Sequence, residues 1–298
     1  MTPKSTDGPA VVALGGGHGL AASLRAARHY ASSITGIVSI GDDGGSSGRL
    51  RAEFGVAPPG DLRRCLSALA SDSSLLARAL EHRFEEGTLV GHPVGNLLLI
   101  GLTLTGGDLQ AAVDEVGRLV GAEGRVIPAS EVPVTLIADS DEGTLAGQVT
   151  IERAPGIRNL RFDPAGASSP PAATAAIEEA DQIVIGPGSL FTSVLATAVM
   201  PDILAALRKA SGQRVFVANV ANEKGDARGF GLIEHIETLI AHAVDVDVVL
   251  TARPAPEYRN GHGGSFPEIV VDEVAAEDGW SHDPAKLGRA LRRLYERW

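Results

Sequence analysis

The chain has 298 residues, enough to bury a large core as one α/β domain over residues 1–298. Its 44% hydrophobic and 21% charged residues are typical of a globular protein, and its net charge of −11 excludes a protein that coats nucleic acid through its overall field. The single cysteine, Cys65, excludes an intramolecular disulfide, and no run near residue 1 has the length of a signal or membrane-spanning segment. We therefore expect a cytoplasmic protein with no membrane or nucleic-acid partner.

Apolar runs that end in glycine-rich loops recur along the chain, and each predicts a buried strand followed by a helix. The first run, residues 11–14, enters the loop 15–19, after which residues 20–30 have a helical composition. The second run, 34–40, is rich in β-branched residues and enters the loop 41–48. Further strands are predicted at 182–185, 214–218, 247–250 and 269–271, and further helices at 61–70, 232–243 and 284–298.

Residues 126–162 interrupt this alternation of strands and helices. Two strand-like runs, 132–137 and 144–151, flank the turn-forming sequence Asp-Ser-Asp-Glu-Gly at 139–143. This pattern predicts a β-hairpin excursion. The complete pattern predicts an α/β fold, a Rossmann-like three-layer sandwich with a mostly parallel sheet.

The most informative stretch is the run Gly-Asp-Asp-Gly-Gly-Ser-Ser-Gly-Arg at 41–49, followed by Pro-Pro-Gly-Asp-Leu-Arg at 58–63. The carboxyl ends of parallel strands are where ligands bind in such folds. Glycines bring backbone N–H groups close to a ligand, serines add hydroxyl donors and arginines add positive charge. Acids at such a place repel a bare phosphate but are favoured when Mg²⁺ lies between them. The run therefore predicts a phosphate or nucleotide site; a surface turn is the alternative, but it would need fewer such residues.

Four glycine-bearing loops contribute to one candidate rim: residues 15–19, 41–48, 186–189 and 219–225. Helices that follow the first and third loops would direct N–H groups and positive dipole ends at an anion. For loop 186–189, tight packing of a strand against a helix is an equally good interpretation. Asp61 is predicted to be the N-cap of its helix, and Cys65 an inert core thiol.

Other chemistries receive less support from the sequence. Residues 17–22 fit a relaxed G-x-G-x-x-A pattern, so a nicotinamide enzyme is one hypothesis, but an acid that grips ribose needs no phosphate cradle around it. The sequence contains no Walker A motif, which excludes a P-loop kinase. The eight histidines lack paired metal-ligand spacing and give no support for structural zinc.

Taken together, five segments resemble the gluconeogenesis-factor family of UDP-sugar-binding bacterial proteins, within the superfamily of 2-phospho-L-lactate transferases of coenzyme F420 synthesis. The segments are ALGGGHGL at 13–20, IGDDGGSSGRL at 40–50, PPGDLR at 58–63, GHPVGN at 91–96 and IGPGSLFTS at 185–193. They occur in the family's order over most of the chain, and the second and third are highly specific. The chain departs from the family pattern at His18, where threonine is usual, and in the partly matching loop 219–226.

The resemblance implies a Rossmann-like fold, a nucleotide-sugar site such as one for UDP-N-acetylglucosamine, and a role in carbon metabolism, cell-wall control and cell shape. It also implies Mg²⁺ held by acids equivalent to Asp42 or Asp43 and Asp61, as in relatives that bind GDP. The candidate ligand-binding residues are Gly16, Gly17, His18, Gly19, Asp42, Asp43, Gly45, Ser46, Ser47, Arg49, Asp61, Arg63, Asn96, Gly186, Gly188, Ser189 and Asn219.

Three hypotheses of different classes follow. The first is a nucleotide-sugar-binding regulator without turnover, the second a Mg²⁺-dependent transferase of the 2-phospho-L-lactate type, and the third a nicotinamide oxidoreductase. Aromatic residues make up 4% of the chain, which leaves few rings to stack a deazaflavin-sized acceptor and favours the regulator. We also expect a homo-oligomer.

Overall fold

The main sheet is parallel throughout. The computed structural model describes residues 8–221, 225–254 and 266–298. Within them, seven strands form the main sheet: β1 (Ala10–Gly15), β2 (Ser33–Val38), β3 (Arg125–Pro128), β7 (Gln182–Ile185), β8 (Gln213–Val217), β9 (Val248–Thr251) and β10 (Glu268–Val271). Their order is β10-β9-β8-β7-β1-β2-β3, and every neighbouring pair is parallel.

Both faces of this sheet are covered by helices. Strands β7 and β9 are therefore buried at every position, and β1 is buried at all but its first. The fold is thus the predicted α/β sandwich. The helices are α1 (Gly17–Ala27), α2 (Gly45–Phe54), α3 (Gly60–Leu69), α4 (Leu75–Glu81), α5 (Val94–Gly106), α6 (Leu109–Val120), α7 (Gln148–Arg153), α8 (Pro171–Glu178), α9 (Ala196–Ala198), α10 (Pro201–Lys209), α11 (Leu232–Ala241) and α12 (Pro284–Glu296), with a π-helical segment at Leu190–Leu195 that leads into α9.

The order of the strands reverses between β1 and β7. From β1 the sheet continues to β2 and β3, whereas β7 continues to β8, β9 and β10 on the other side. In open parallel sheets, such a switch point leaves a crevice at the carboxyl ends of the two strands, where ligands bind. The loops that follow β1 and β7 are the glycine-rich segments 15–19 and 186–189. The topology therefore places these two predicted loops side by side.

The excursion at 126–162 differs from the prediction in its bounds and in its strands. Residues 126–128 belong to β3 at the edge of the main sheet, because their backbone pairs in parallel with residues 36–38. A separate antiparallel sheet then follows, in the order β5-β4-β6. Its strands are β4 (Thr135–Ser140), β5 (Gly143–Ala146) and β6 (Arg158–Asp163). The predicted hairpin is β4–β5, but α7 replaces the second half of its predicted second strand, and β6 adds a third strand.

Two local predictions have different outcomes. Cys65 is fully buried, as predicted, and burial raises the pKa of its thiol. Asp61 is not the N-cap of α3: Pro59 holds that position, and the Asp61 carboxylate binds another element instead.

Within the described ranges, no single helix has the length and hydropathy needed to cross a membrane. Residues 190–198 and 201–209 reach that length and composition only as a pair, bent by 69°.

Candidate functional site

A cavity of about 470 Å³ opens at the switch point of the sheet. Its volume lies within the usual range for small-molecule sites. The loops after β1, β2 and β7, the four helices α1, α2, α3 and α5, and α7 beside the small sheet supply its walls. The lining residues are Gly16, Gly17, His18, Gly19, Asp42, Gly44, Gly45, Ser46, Ser47, Gly60, Asp61, Arg63, Arg64, Arg83, Asn96, Gln148, Glu152, Gly188, Ser189 and Ser193.

The N-terminal turns of four helices line this cavity. They contribute residues 17–19 of α1, 45–47 of α2, 60, 61, 63 and 64 of α3, and Asn96 of α5. The first N–H groups of a helix have no partner within the helix, and the dipole adds partial positive charge at this end. Several such ends around one cavity favour a ligand with negative charge, such as a phosphate.

The charged side chains of the lining are balanced. Three guanidinium groups, of Arg63, Arg64 and Arg83, face three carboxylates, of Asp42, Asp61 and Glu152. The surplus attraction for an anion therefore comes mainly from the helix N-termini rather than from net side-chain charge. The carboxylates leave room for a cation or for hydrogen-bond donors of the ligand.

Asp61 ties two parts of the lining together. Its Oδ2 accepts a hydrogen bond of 2.7 Å from the backbone N–H of Gly17, the first residue of α1. Its Oδ1 accepts one of 2.6 Å from the Arg64 guanidinium, on the same helix as Asp61. Asp61 therefore connects the start of α3 to the start of α1 and holds Arg64 beside the cavity.

Asp42 is a half-buried acid whose surroundings disfavour its charge. Burial raises the pKa of Asp42, and the negative charge of Asp61 raises it further; hydrogen bonds from Gly44 N–H, at 2.9 Å, and from Ser47 act in the opposite direction. Two carboxylates that repel each other at the edge of a cavity form an arrangement that a cation would stabilise.

We expect Asp42→Asn to raise the melting temperature of the ligand-free protein at pH 7 by a few degrees. The amide oxygen can still accept the Gly44 N–H, while the repulsion between Asp42 and Asp61 disappears. An acid whose pKa is raised by folding destabilises the native state above that pKa, and this cost vanishes as the pH falls through it. The difference in melting temperature should therefore shrink in scans at pH 4, and a variant less stable than wild type at pH 7 would contradict the expectation.

A chain of polar contacts, buried from Arg63 onward, runs behind the cavity from Glu81 at the end of α4 to the segment that precedes α5. Arg63, which is 3% exposed, pairs with Glu81 at 3.1 Å and donates to Asn96 Oδ1 at 3.4 Å. Asn96 Nδ2 donates to Ser46 Oγ at 3.1 Å, and Ser46 Oγ lies 2.9 Å from His92 Nδ1. Burial lowers the pKa of His92, so its ring is neutral at pH 7. Three members of the chain, Arg63, Asn96 and Ser46, also line the cavity.

Comparison with known proteins places the chain in a family. The family model described as "2-phospho-L-lactate transferase CofD" matches residues 11–279, from the second residue of β1 to beyond β10. The chain belongs to this family.

Its relatives carry related names. A Mycobacterium leprae protein, provisionally named a gluconeogenesis factor, is 42% identical over 305 residues, which cover 95% of this chain and 85% of that protein. The "Gluconeogenesis factor" of Halalkalibacterium halodurans is 39% identical over 235 residues, covering 78% and 73%. A crystal structure of a Bacillus halodurans member of the UPF0052 family has a TM-score of 0.86 at 33% identity, covering 94% and 97%. The resemblance and the fold expected from the sequence are thereby confirmed.

The structure of this CofD family member brings most of the predicted site residues to one cavity. Thirteen of them line it: Gly16, Gly17, His18, Gly19, Asp42, Gly45, Ser46, Ser47, Asp61, Arg63, Asn96, Gly188 and Ser189. The surrounding protein and the Arg64 charge lower the pKa of His18, so this ring is also neutral at pH 7. The roles of these thirteen residues in ligand binding stay predictions.

Four predicted residues do not line the cavity. The Asp43 carboxylate accepts a hydrogen bond of 2.9 Å from Val149 N–H and so fastens α7 to the loop after β2. The Arg49 guanidinium donates to the carbonyl of Val90, at 3.2 Å. The other two, Gly186 and Asn219, lie behind Gly188. Asn219 forms two hydrogen bonds with the Gly188 backbone, at 3.1 and 3.0 Å, and Gly186 O accepts the Ser23 hydroxyl. The predicted rim segment 219–225 also includes residues 222–224, which lie outside the described residues.

Metal binding by Asp42, Asp43 and Asp61 together finds no geometric support. In the part of the chain that the structure describes, no three His, Cys, Asp or Glu side chains are grouped to hold an ion. Asp42 and Asp61 lie at the cavity, whereas Asp43 is engaged by α7.

Sequence reasoning missed several lining residues. Arg64 is not among the predicted site residues, but the salt bridge to Asp61 holds it at the cavity. Its position one residue after Arg63 on α3 carries no signal of this. Gln148 and Glu152 come from α7, which the sequence pattern had assigned partly to a strand. The remaining additions are Gly44, Gly60, Arg83 and Ser193.

Proposed function

We propose that this protein binds a nucleoside diphosphate sugar, with UDP-N-acetylglucosamine as the candidate, and acts in the cytoplasm as a regulator of carbon and cell-wall metabolism and cell shape. The observation that carries the proposal is the convergence of four helix N-terminal turns on one cavity at the switch point of the sheet. This arrangement suits a diphosphate, while the carboxylates and amides of the same lining suit the hydroxyls of ribose and sugar. The names of the relatives, gluconeogenesis factors, agree with a role in carbon metabolism.

A 2-phospho-L-lactate transferase is the second candidate, because the matching family model carries that description. Among the described residues that line the cavity, none is Phe, Tyr or Trp. A deazaflavin-sized acceptor would have to bind there without aromatic stacking. The lining therefore favours binding without turnover.

Mg²⁺ is the candidate cofactor of the proposed complex. Two carboxylates at the cavity are enough for this ion, because Mg²⁺ commonly uses one or two carboxylates together with ligand phosphates and water. Asp42 and Asp61 would hold the ion, and their mutual repulsion supports a cation between them. Asp43 is not part of this set, because it does not line the cavity and its carboxylate accepts a hydrogen bond from Val149 N–H in α7. When bound, Mg²⁺ would neutralise phosphate charge; the chain's own groups orient the ligand.

Calorimetric titration tests the proposal directly. We expect UDP-N-acetylglucosamine or GDP to bind far more tightly than NAD, because NAD recognition requires an acid on the ribose rather than a second glycine loop. We further expect Arg64→Ala to weaken binding about tenfold to a hundredfold, the usual cost of a charged hydrogen bond to phosphate. Arg51→Ala is the matched control, because Arg51 on α2 donates to Thr135 Oγ1 and does not line the cavity. Tight binding of NAD alone, or equal losses in both variants, would refute the assignment.

A further inference from the structure

The buried polar chain behind the cavity has a fixed direction of hydrogen-bond donation. It begins at Arg63, whose guanidinium has donors only. Because Arg63 donates to Asn96 at 3.4 Å, the atom that faces it must be the amide oxygen. The Asn96 amide is thereby oriented so that its NH₂ group faces Ser46 and donates to Oγ at 3.1 Å.

The next step fixes the hydroxyl proton of Ser46. Ser46 is buried, at 6% exposure, and one of its two lone pairs is occupied by the Asn96 amide. Its proton requires an acceptor, and His92 Nδ1 lies 2.9 Å away. The opposite arrangement, with a proton on Nδ1, would aim a second donor at Ser46 Oγ and turn the hydroxyl proton away from His92.

The charge state of His92 is compatible with its role as acceptor. Burial lowers the pKa of His92, and the charges of Arg49 and Arg83 lower it further, while Glu53 raises it. The ring is therefore neutral at pH 7 and carries one proton; the tautomer with that proton on Nε2 leaves a lone pair on Nδ1 for the Ser46 hydroxyl. Donation thus runs from Arg63 through Asn96 and Ser46 to His92.

We propose that Ser46 presents only a hydrogen-bond acceptor to the cavity, so that the ligand group placed against it is a donor, a sugar hydroxyl or an N–H, and not a phosphate oxygen. The sequence had suggested the reverse, a serine that donates to phosphate. The proposal rests on the nucleotide-sugar function, since it assigns one end of that ligand to the Ser46 side of the cavity. Ser46 is a specificity-determining residue in this arrangement.

The proton positions can be tested without any ligand. Long-range proton–nitrogen correlation spectra of the isotopically labelled protein at pH 7 should show His92 neutral, with a protonated Nε2 and a hydrogen-bonded, unprotonated Nδ1. In Ser46→Ala, the Nδ1 resonance should shift to that of an acceptor without a donor, while the ring stays neutral. A protonated Nδ1 in the wild type would overturn the proposal.

Ligand binding supplies the second test. UDP-N-acetylglucosamine and analogues that each lack one donor, such as an N3-methylated uracil or a deoxygenated sugar hydroxyl, are titrated into wild type and Ser46→Ala. One analogue should bind about tenfold more weakly than the parent to wild type, and this difference should vanish in Ser46→Ala.

Ser73→Ala is the control, because Ser73 is exposed and lies outside both the cavity and the polar chain, so this variant should keep the discrimination. An equal loss for all analogues in Ser46→Ala would overturn the proposal. Failure of the parent compound to bind wild type would refute the proposed function, while the spectra would still decide the polarity of Ser46.

Discussion

Gly19→Ala should abolish tight ligand binding and destabilise the protein. A Cβ at this position would lie 2.1 Å from the carbonyl oxygen and 2.6 Å from the carbonyl carbon of Pro187. These are backbone atoms of the loop after β7, so neither can rotate away as a flexible side chain would. The first turn of α1 and the loop 186–189 would have to separate, and both line the cavity. We expect a loss of about 1–3 kcal/mol in the free energy of unfolding.

The effect on ligand affinity should exceed the effect expected for any single side-chain contact. Separation of the two loops would displace the N–H groups of α1 together with Gly188 and Ser189, so several contacts would weaken at once. We expect UDP-N-acetylglucosamine to bind at least about a hundredfold more weakly, corresponding to two or more contacts of about 1.4 kcal/mol each.

Gly101→Ala is the control for this substitution. Gly101 lies inside α5, and a Cβ there would meet nothing within 4 Å. Alanine in a helix interior is about 0.5–1 kcal/mol more favourable than glycine, so this variant should be slightly stabilised and bind normally. Chemical denaturation and calorimetry of both variants provide the measurements. Wild-type stability and affinity in Gly19→Ala would show that Gly19 and the Pro187 backbone are not in the close contact described above.

The sequence predicted the sheet well because its signals are local. The runs before residues 15, 41 and 186 are short and apolar, and each ends at a glycine. They correspond to strands β1, β2 and β7. Loops 15–19 and 186–189 follow the carboxyl ends of the neighbouring parallel strands β1 and β7, which agrees with the expectation of one common rim.

The directions of individual side chains could not be predicted. Asp42 and Asp43 are adjacent acids in one loop, yet only Asp42 lines the cavity, because the N–H of Val149 captures the Asp43 carboxylate across 106 positions of sequence. Asp61 lies at the start of a helix and is a residue type that is common at N-caps, but its Oδ2 accepts a hydrogen bond from the N–H of Gly17 instead. Both outcomes depend on long-range backbone donors, and sequence spacing carries no information about them.

The part of the cavity lining that comes from α7, beside the small sheet, could not be predicted either. Residues 144–151 have alternating polarity that suits a strand, but the chain leaves the ladder at Gly147 and forms α7. Gly147 adopts a φ of +92°, a conformation that side chains rarely tolerate, and this turn aims Gln148 at the cavity. A glycine within a strand-like run was the one signal that could have indicated the change.

Asp42→Asn should weaken the binding of UDP-N-acetylglucosamine only when Mg²⁺ is present. Burial and the Asp61 charge already disfavour the Asp42 carboxylate, so a divalent cation between the two acids would relieve repulsion and attract the diphosphate. We expect wild type to bind about tenfold to a hundredfold more tightly in Mg²⁺ than in EDTA, a gain of the size of one or two charged contacts. In Asp42→Asn the two conditions should give the same affinity.

The neighbouring acids turn this titration into a comparison of three roles. Asp43→Asn is the matched control, because Asp43 follows Asp42 directly but binds Val149 N–H; this variant should keep the full Mg²⁺ effect. In Asp61→Asn, the charge that holds Arg64 disappears, so affinity should fall in EDTA as well as in Mg²⁺. A loss in Asp42→Asn that is equally large in EDTA would mean that Asp42 accepts a ligand hydroxyl directly, as a ribose-binding acid does, and would remove the metal from the proposal. Because Asp42→Asn should also be the more stable protein without ligand, a loss of affinity in this variant could not be attributed to unfolding.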